Sequence, residues 1–241
     1  MTVPDQVQPA ETFDTAAEFD RQLRNLVELG YPALAHISAA EFAAMVAPLR
    51  ATATRHAQSA PAPTRARVPF VLVIPTGLVP AERSMPLTAL DGRPGFVDRT
   101  AADIARFTPI EALDIPPGPA YLAFDVDRGA ETLNVRPDDA LVTITGQGRT
   151  PLTVDEGIAL ITHYPEALEK NNCFSLVGSR CGDRRVPALW ISKKAPKLGW
   201  CWAGNPHTWL GSASCAARAG APLAATRPPA AAAPPAAQPR N

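Results

Sequence analysis

All four cysteines, all four tryptophans and all four lysines of this 241-residue chain fall between Lys170 and Cys215. The thiols Cys173, Cys181, Cys201 and Cys215 are separated by seven, nineteen and thirteen residues. A tetrahedral zinc centre needs four soft or borderline ligands, and thiolates from separate loops would meet that need while crosslinking them. Glycines bracket Cys181, Gly204-Asn205-Pro206 follows Cys201, and His207 could replace one thiolate. Neither cysteine pair forms the C-x2-C knuckle of a zinc ribbon. The competing expectation is simple burial, because cysteine is among the most buried residue types.

The same residues allow a second chemistry. Cys201 or Cys215 as nucleophile with His207 as base, oriented by Asp183 or Asn205, would make a thiol enzyme, provided the fold brings them together. No G-x-S-x-G elbow, phosphate-binding G-x-x-x-x-G-K loop or H-E-x-x-H helix accompanies them. A third chemistry is anion binding. Arg180, Arg184, Arg185, Lys193, Lys194 and Lys197 face one acid, Asp183, between positions 180 and 197. Arg180, Arg184 and Arg185 with Trp202 and Trp209 could hold a small anionic ligand or stack the bases of a single strand. The plainer reading is a solvated loop and strand end. The tryptophans, Trp190, Trp200, Trp202 and Trp209, would by default form a compact aromatic core.

The elements that must position these groups read as strands. VPALWIS and KLGWCWAG carry the aromatic and sulfur residues, and alternation puts Trp200 and Trp202 on one face with Cys201 on the other. Upstream, Thr15 with Glu18 and Ser38 with Glu41 read as capping boxes opening two amphipathic helices, a hairpin over residues 12–60. Residues 61–67 read as a linker. VPFVLVIP reads as a buried strand, and AYLAFDVD and ETLNV flank a short turn that suits a β-hairpin. A short helix starts at Thr100, and Thr153 with Glu156 opens a helix that runs to His163, whose imidazole would meet free carbonyls. Asp125 and Asp127 lack the glycine position and the bidentate glutamate of a calcium loop, and Asp138 and Asp139 read as turn or cap residues. The order, helices then strands, one helix, and more strands, indicates an α+β fold. The globular body spans residues 68–216, with the Trp/Cys-rich module at 170–216.

Composition bounds the function. With 46% hydrophobic and 19% charged residues, and 23 basic against 23 acidic groups, the chain has no net charge to draw it to nucleic acid or an anionic membrane. No apolar run is long enough to span a bilayer and residues 1–11 read as a disordered leader without a signal peptide's pattern, so a cytoplasmic location with reduced thiols is expected. Residues 217–241 read as a disordered Ala/Pro tail. The segments ARFTPIEALDIPPGPAYLAFDVDRG, GRTPLTVDEGIALITHYPEAL and CFSLVGSRCGDRRVPALWISKKAPKLGWCWAGNPHTWLGSASC resemble an actinobacterial family of uncharacterised proteins, a domain of unknown function. That resemblance implies a cytosolic protein and brings no activity or site residue with it. The residues point to a non-enzymatic ligand- or partner-binding domain, with zinc as the one cofactor to consider. The alternatives are a Cys/His thiol enzyme and a binder of nucleic acid or small anions at the basic rim.

Overall fold

The computed structural model describes residues 13–101 and 103–222. The first layer is helical: α1 (Thr15–Glu28), α2 (Tyr31–Leu34), α3 (Ala39–Val46) and α4 (Pro48–Ala57). The expected hairpin is thus a four-helix layer. Ser38 and Glu41 form the capping box the sequence indicates. At α1 the cap is Asp14 instead, whose carboxylate accepts from the Ala16 and Ala17 amides at 3.0 Å. That leaves Thr15 as the first helical residue and frees Glu18 to turn inward. Gly30, at φ 87°, supplies the left-handed turn out of α1.

Beneath the helices lies a five-stranded sheet. Strands β1 (Arg67–Val73), β6 (Tyr121–Asp127), β13 (Ser214–Cys215) and β7 (Thr150–Pro151) run in the order β1-β6-β13-β7, and β14 (Ala217–Ala219) also pairs with β6. Phe70, Leu72, Leu122 and Phe124 face Phe19, Leu26, Phe42 and Leu49 of the helical layer. Val71, Val73, Tyr121, Ala123 and Val126 project to the other side. Burial on both faces explains why β1 reads as an unbroken apolar run.

Two sequence readings are corrected here. ETLNV does not return along β6; residues 130–132 form a 3-10 turn after Gly129, which adopts φ 83°. A Cβ on Gly129 would strike the backbone of Ser212, and one on Gly211 would strike the carbonyl of Gly129, so two chain segments cross where only glycines fit. Residues 217–219, read as tail, are the strand β14. Its Arg218 passes under the sheet to Glu156, with Nε–Oε1 at 2.5 Å and Nη2–Oε2 at 2.8 Å, both side chains buried. Residues 1–12 and 223–241 lie outside the described residues.

The second sheet runs β12-β8-β10-β11-β4, from β4 (Phe96–Val97), β8 (Cys173–Ser175), β10 (Arg185–Ser192), β11 (Ala195–Trp202) and β12 (Leu210–Ser212). Two small pairings, β2 (Ala89–Leu90) with β3 (Arg93–Pro94) and β5 (Thr108–Pro109) with β9 (Ser179–Arg180), complete the strands. Helix α5 (Ala81–Ser84) follows β1. Asp138 and Asp139 fall in the first turn of α6 (Pro137–Gly146), where acids favour the helix dipole. Helix α7 (Val154–His163) has the expected Thr153/Glu156 capping box and packs between the sheets. Around Thr100 there are two 3-10 turns, not a helix. The architecture is α+β.

Strand β1 is a sheet edge, and α1 and α7 cover it. The Gln22 amide donates to Phe70 O at 3.0 Å and accepts from Leu72 N at 2.7 Å, taking the place of a neighbouring strand. His163 Nε2 lies 3.0 Å from Leu72 O, so it carries the proton. Tyr164 donates to Glu18, which also takes Arg21 and Gln22.

Candidate functional site

The β10–β11 hairpin presents the aromatic residues. Ser192 pairs with Ala195, leaving Lys193 and Lys194 as a two-residue turn at φ 53° and 64°. Such turns favour Asn-Gly, because a Cβ is disfavoured at positive φ by about 1–2 kcal/mol. Two exposed lysines stand there instead. Register places Lys197 opposite Trp190, with Nζ 4.9 Å from the ring centroid. Gly199 makes room for the Trp190 indole, which lies across β11 where a side chain would project. Trp200 and Trp202 share a face, as alternation requires, with centroids 5.0 Å apart and planes at 69°. Trp209, just before β12, meets Trp190 at 6.0 Å and 64°, and His207 lies 5.4 Å from it.

These rings are not a closed core. Trp190, Trp200 and Trp209 are half-buried against the second sheet, and Trp202 is 47% exposed. They line two adjoining grooves that share Trp190 and Trp209. One, of about 330 Å³, is completed by Trp200, Trp202, Asn205 and His207. The other, of about 590 Å³, is completed by Lys170, Asn171, Ile191 and Lys194. The expected aromatic core is therefore an aromatic surface. Trp200 is covered in part, its Nε1 donating to Thr100 O at 3.3 Å and Arg185 lying 5.5 Å over its ring.

The thiols are dispersed. Cys173 Sγ donates to Glu169 O at 3.3 Å, Cys181 Sγ to Asp183 Oδ1 at 3.2 Å, Cys201 lies 3.6 Å from Ser175 Oγ, and Cys215 lies 3.3 Å from Thr150 Oγ1 in the other sheet. Among the described residues no group of three or more His, Cys, Asp or Glu side chains stands where it could hold a metal. The spacing that suggested a four-thiolate zinc centre puts the sulfurs on separate strands and loops. Burial pushes all four thiols up, Cys215 to about 11. Cys201 and His207 border the same groove, but the Cys201 thiol takes Ser175 as its partner. Cys215 lies in β13 and takes Thr150 Oγ1 as its partner, whereas His207 lies in the loop between β11 and β12.

The basic rim is largely neutralised. Arg180 and Arg184 approach Asp138 at 3.9 and 3.6 Å, Arg185 is clamped by Asp103 and Asp183 at 2.8 and 2.9 Å, and Lys197 pairs with Asp98. Arg185 also lies 5.5 Å from the rings of Trp200 and Phe107. Lys197 is the one lysine with a carboxylate partner among the described residues. Among the described residues the other three lysines, Lys170, Lys193 and Lys194, have no carboxylate partner, and Lys170 and Lys194 line the larger Trp190/Trp209 groove. Sequence reasoning named Trp202 and Trp209 but missed Trp190, Lys170 and Lys194 as groove-lining groups. The available signal was the Lys-Lys pair between two alternating strands, a hairpin turn without turn-forming residues.

Among the described residues no helix is long and apolar enough to cross a membrane. No curated protein and no solved structure matches the chain. The sequence model of one family does match, over residues 25–221, and so takes in both sheets and all four tryptophans: the chain belongs to DUF5701, a family of unknown function.

Proposed function

We propose that this chain is a non-enzymatic binding domain that captures an acidic, proline-bearing peptide segment of a partner on the Trp190/Trp209 face. The observation that carries the reading is the pair of adjoining grooves walled by inclined indoles and flanked by Lys170 and Lys194. Rings set at 64° and 69° leave notches between them, the form that accepts a pyrrolidine ring, whereas bases and sugars favour flat platforms. A proline-rich segment is pre-extended and loses little entropy on docking. Lys170, Lys193 and Lys194 supply charge for carboxylates on such a segment.

Two features favour this reading over the alternatives. The thiols are held protonated by burial, the opposite of what a nucleophile needs. Four of the six rim cations already have carboxylate partners, which leaves too few for tracking a phosphate backbone.

The test is a tryptophan-emission titration with a synthetic alternating Glu-Pro peptide and its Gln-Pro counterpart. The Glu-Pro peptide should give a saturable change that weakens with salt and is reduced at least tenfold in affinity by Trp209→Ala or Lys194→Ala. An unchanged emission with both peptides overturns the proposal.

A further inference from the structure

We infer a second binding site, separate from the aromatic grooves: the cleft between the C-terminal end of α4 and the start of β1 takes a free nucleotide, a planar heterocycle joined to a phosphate. The cleft holds about 590 Å³, a volume suited to a small molecule. It lies where the β1–β6 ladder is interrupted, since Val68 pairs with Val126 and Phe70 with Phe124 but Pro69 and Asp125 between them do not pair. Pro69 has no amide to donate, and Asp125 adopts φ 53°, a conformation that a side chain disfavours.

Two arginines hold that conformation and charge the cleft. Arg67 grips the Asp125 carboxylate through Nε and Nη2, and Arg149 donates to Oδ2 at 2.9 Å and to Asp125 O at 2.6 Å. One carboxylate thus serves two guanidiniums, and Arg67, half exposed at the cleft, keeps Nη1 for a further acceptor. Arg55 lines the same cleft and has no carboxylate partner among the described residues. With His56 it also offsets the negative end of α4, which would repel an anion. Asp127 and Glu131, the other acids near Arg67, line a neighbouring hollow, and Asp127 is taken by the Gly129 amide at 2.7 Å. A phosphate in the cleft would accept from Arg55 and from Nη1 of Arg67 in charge-assisted hydrogen bonds.

The platform for the ring is His56. Its imidazole lies on Phe124 with centroids 5.0 Å apart and planes at 26°, and both side chains line the cleft. Phe124 is buried and His56 is exposed, so the imidazole is the surface that a heterocycle meets. Nδ1, 3.0 Å from Thr52 O, carries the proton and fixes the ring, which leaves Nε2 as an acceptor for a base amino group. Unpaired bases stack on such rings in known modes of recognition.

The experiment is calorimetric titration of the full chain with the ribonucleoside monophosphates, their nucleosides and inorganic phosphate. A monophosphate should bind saturably, at least tenfold tighter than its nucleoside or than inorganic phosphate. Arg55→Gln and His56→Ala, both at exposed positions of α4, should each weaken it at least tenfold in a protein that still unfolds cooperatively. Trp209→Ala should leave it unchanged. Saturation by none of the monophosphates overturns the inference, and so does an affinity that survives both α4 substitutions. Inorganic phosphate binding as tightly as the monophosphate removes the ring from recognition, and loss of binding in Trp209→Ala assigns the nucleotide to the aromatic grooves; either result overturns it. So does tighter binding of a single-stranded oligonucleotide with a terminal phosphate, which would make the ligand a strand end.

Discussion

Gly199 and Trp190 occupy one site between them: the indole of Trp190 lies where a Cβ on Gly199 would have to go. The two residues sit diagonally on adjacent strands, two residues apart in register and on one face, since Gly199 pairs with Ala188 and Trp190 with Lys197. Lys197 and Trp209 hold the ring from its other sides. Gly199→Ala should therefore displace Trp190 while leaving the sheet intact. We expect a stability loss of about 1–3 kcal/mol, as for other overpacked sites. We also expect a changed tryptophan emission and at least tenfold weaker binding of the Glu-Pro peptide. Wild-type emission and binding in this variant would show that the indole does not depend on the glycine.

The Lys193-Lys194 turn predicts a trade of stability against binding. Both residues adopt positive φ that their side chains disfavour. Replacing them together, Lys193→Asn with Lys194→Gly, gives the turn its preferred residues and should raise stability by about 1–2 kcal/mol. The same change removes two of the three lysines without a carboxylate partner among the described residues and should weaken the Glu-Pro peptide, most visibly at low salt. A lower melting temperature would contradict the strain argument, and undiminished binding would contradict the role of the cations.

His163 gives the protein a pH window. Burial is the main reason its imidazole is pushed down to about 4 from an ordinary 6.5, and the nearby Arg21 adds to it. In the unfolded chain the ring protonates near 6.5, so between the two values protons favour unfolding. Its contribution, about 3 kcal/mol at most, is present above pH 6.5 and is lost progressively as pH falls towards 4. The contribution of Glu18, whose carboxyl is held below its usual range by Arg21, Tyr164 and Gln22 against the opposing effect of burial, is lost at lower pH. Urea denaturation from pH 7 to 4 should show a stability slope that disappears in His163→Gln. A slope unchanged by that substitution would place the titration elsewhere.

Strand alternation around Cys201 and the capping boxes at Ser38 and Thr153 were legible in the sequence because each is a local pattern with a local cause. The site was only half legible. The concentration of Trp and Lys located it, but the sequence could not say that Trp190 and Trp209, nineteen residues apart, would meet at 6.0 Å. That meeting depends on β12 lying parallel to β8, a pairing between distant segments. The cysteine spacing invited a metal centre because linear distance says nothing of which sheet a thiol joins, and Cys215 joins a different sheet from Cys201. The reading of residues 217–219 as tail failed for a related reason. Alanine and proline composition hid one arginine whose partner, Glu156, lies 62 residues earlier.

That pair makes the last prediction. Glu156 is fully buried; it caps the Thr153 amide at 2.8 Å, accepts from Tyr121 at 3.2 Å and takes both Nε and Nη2 of Arg218. Arg218 adds Thr150 Oγ1 and Pro151 O, so a single side chain ties β14 to β7 and to the start of α7. Removing one member of a buried ion pair leaves the other charge without compensation, at a cost of about 3–5 kcal/mol. Arg218→Met should therefore destabilise the protein by about that amount and release β14, seen as faster amide exchange at Ala217–Ala219. Arg218→Met combined with Glu156→Gln removes both charges while keeping an acceptor for the Thr153 amide, and should recover a large part of the loss. If the single and double variants are equally unstable, the ion pair is not what holds β14, and its backbone pairing with β6 would have to carry the attachment alone.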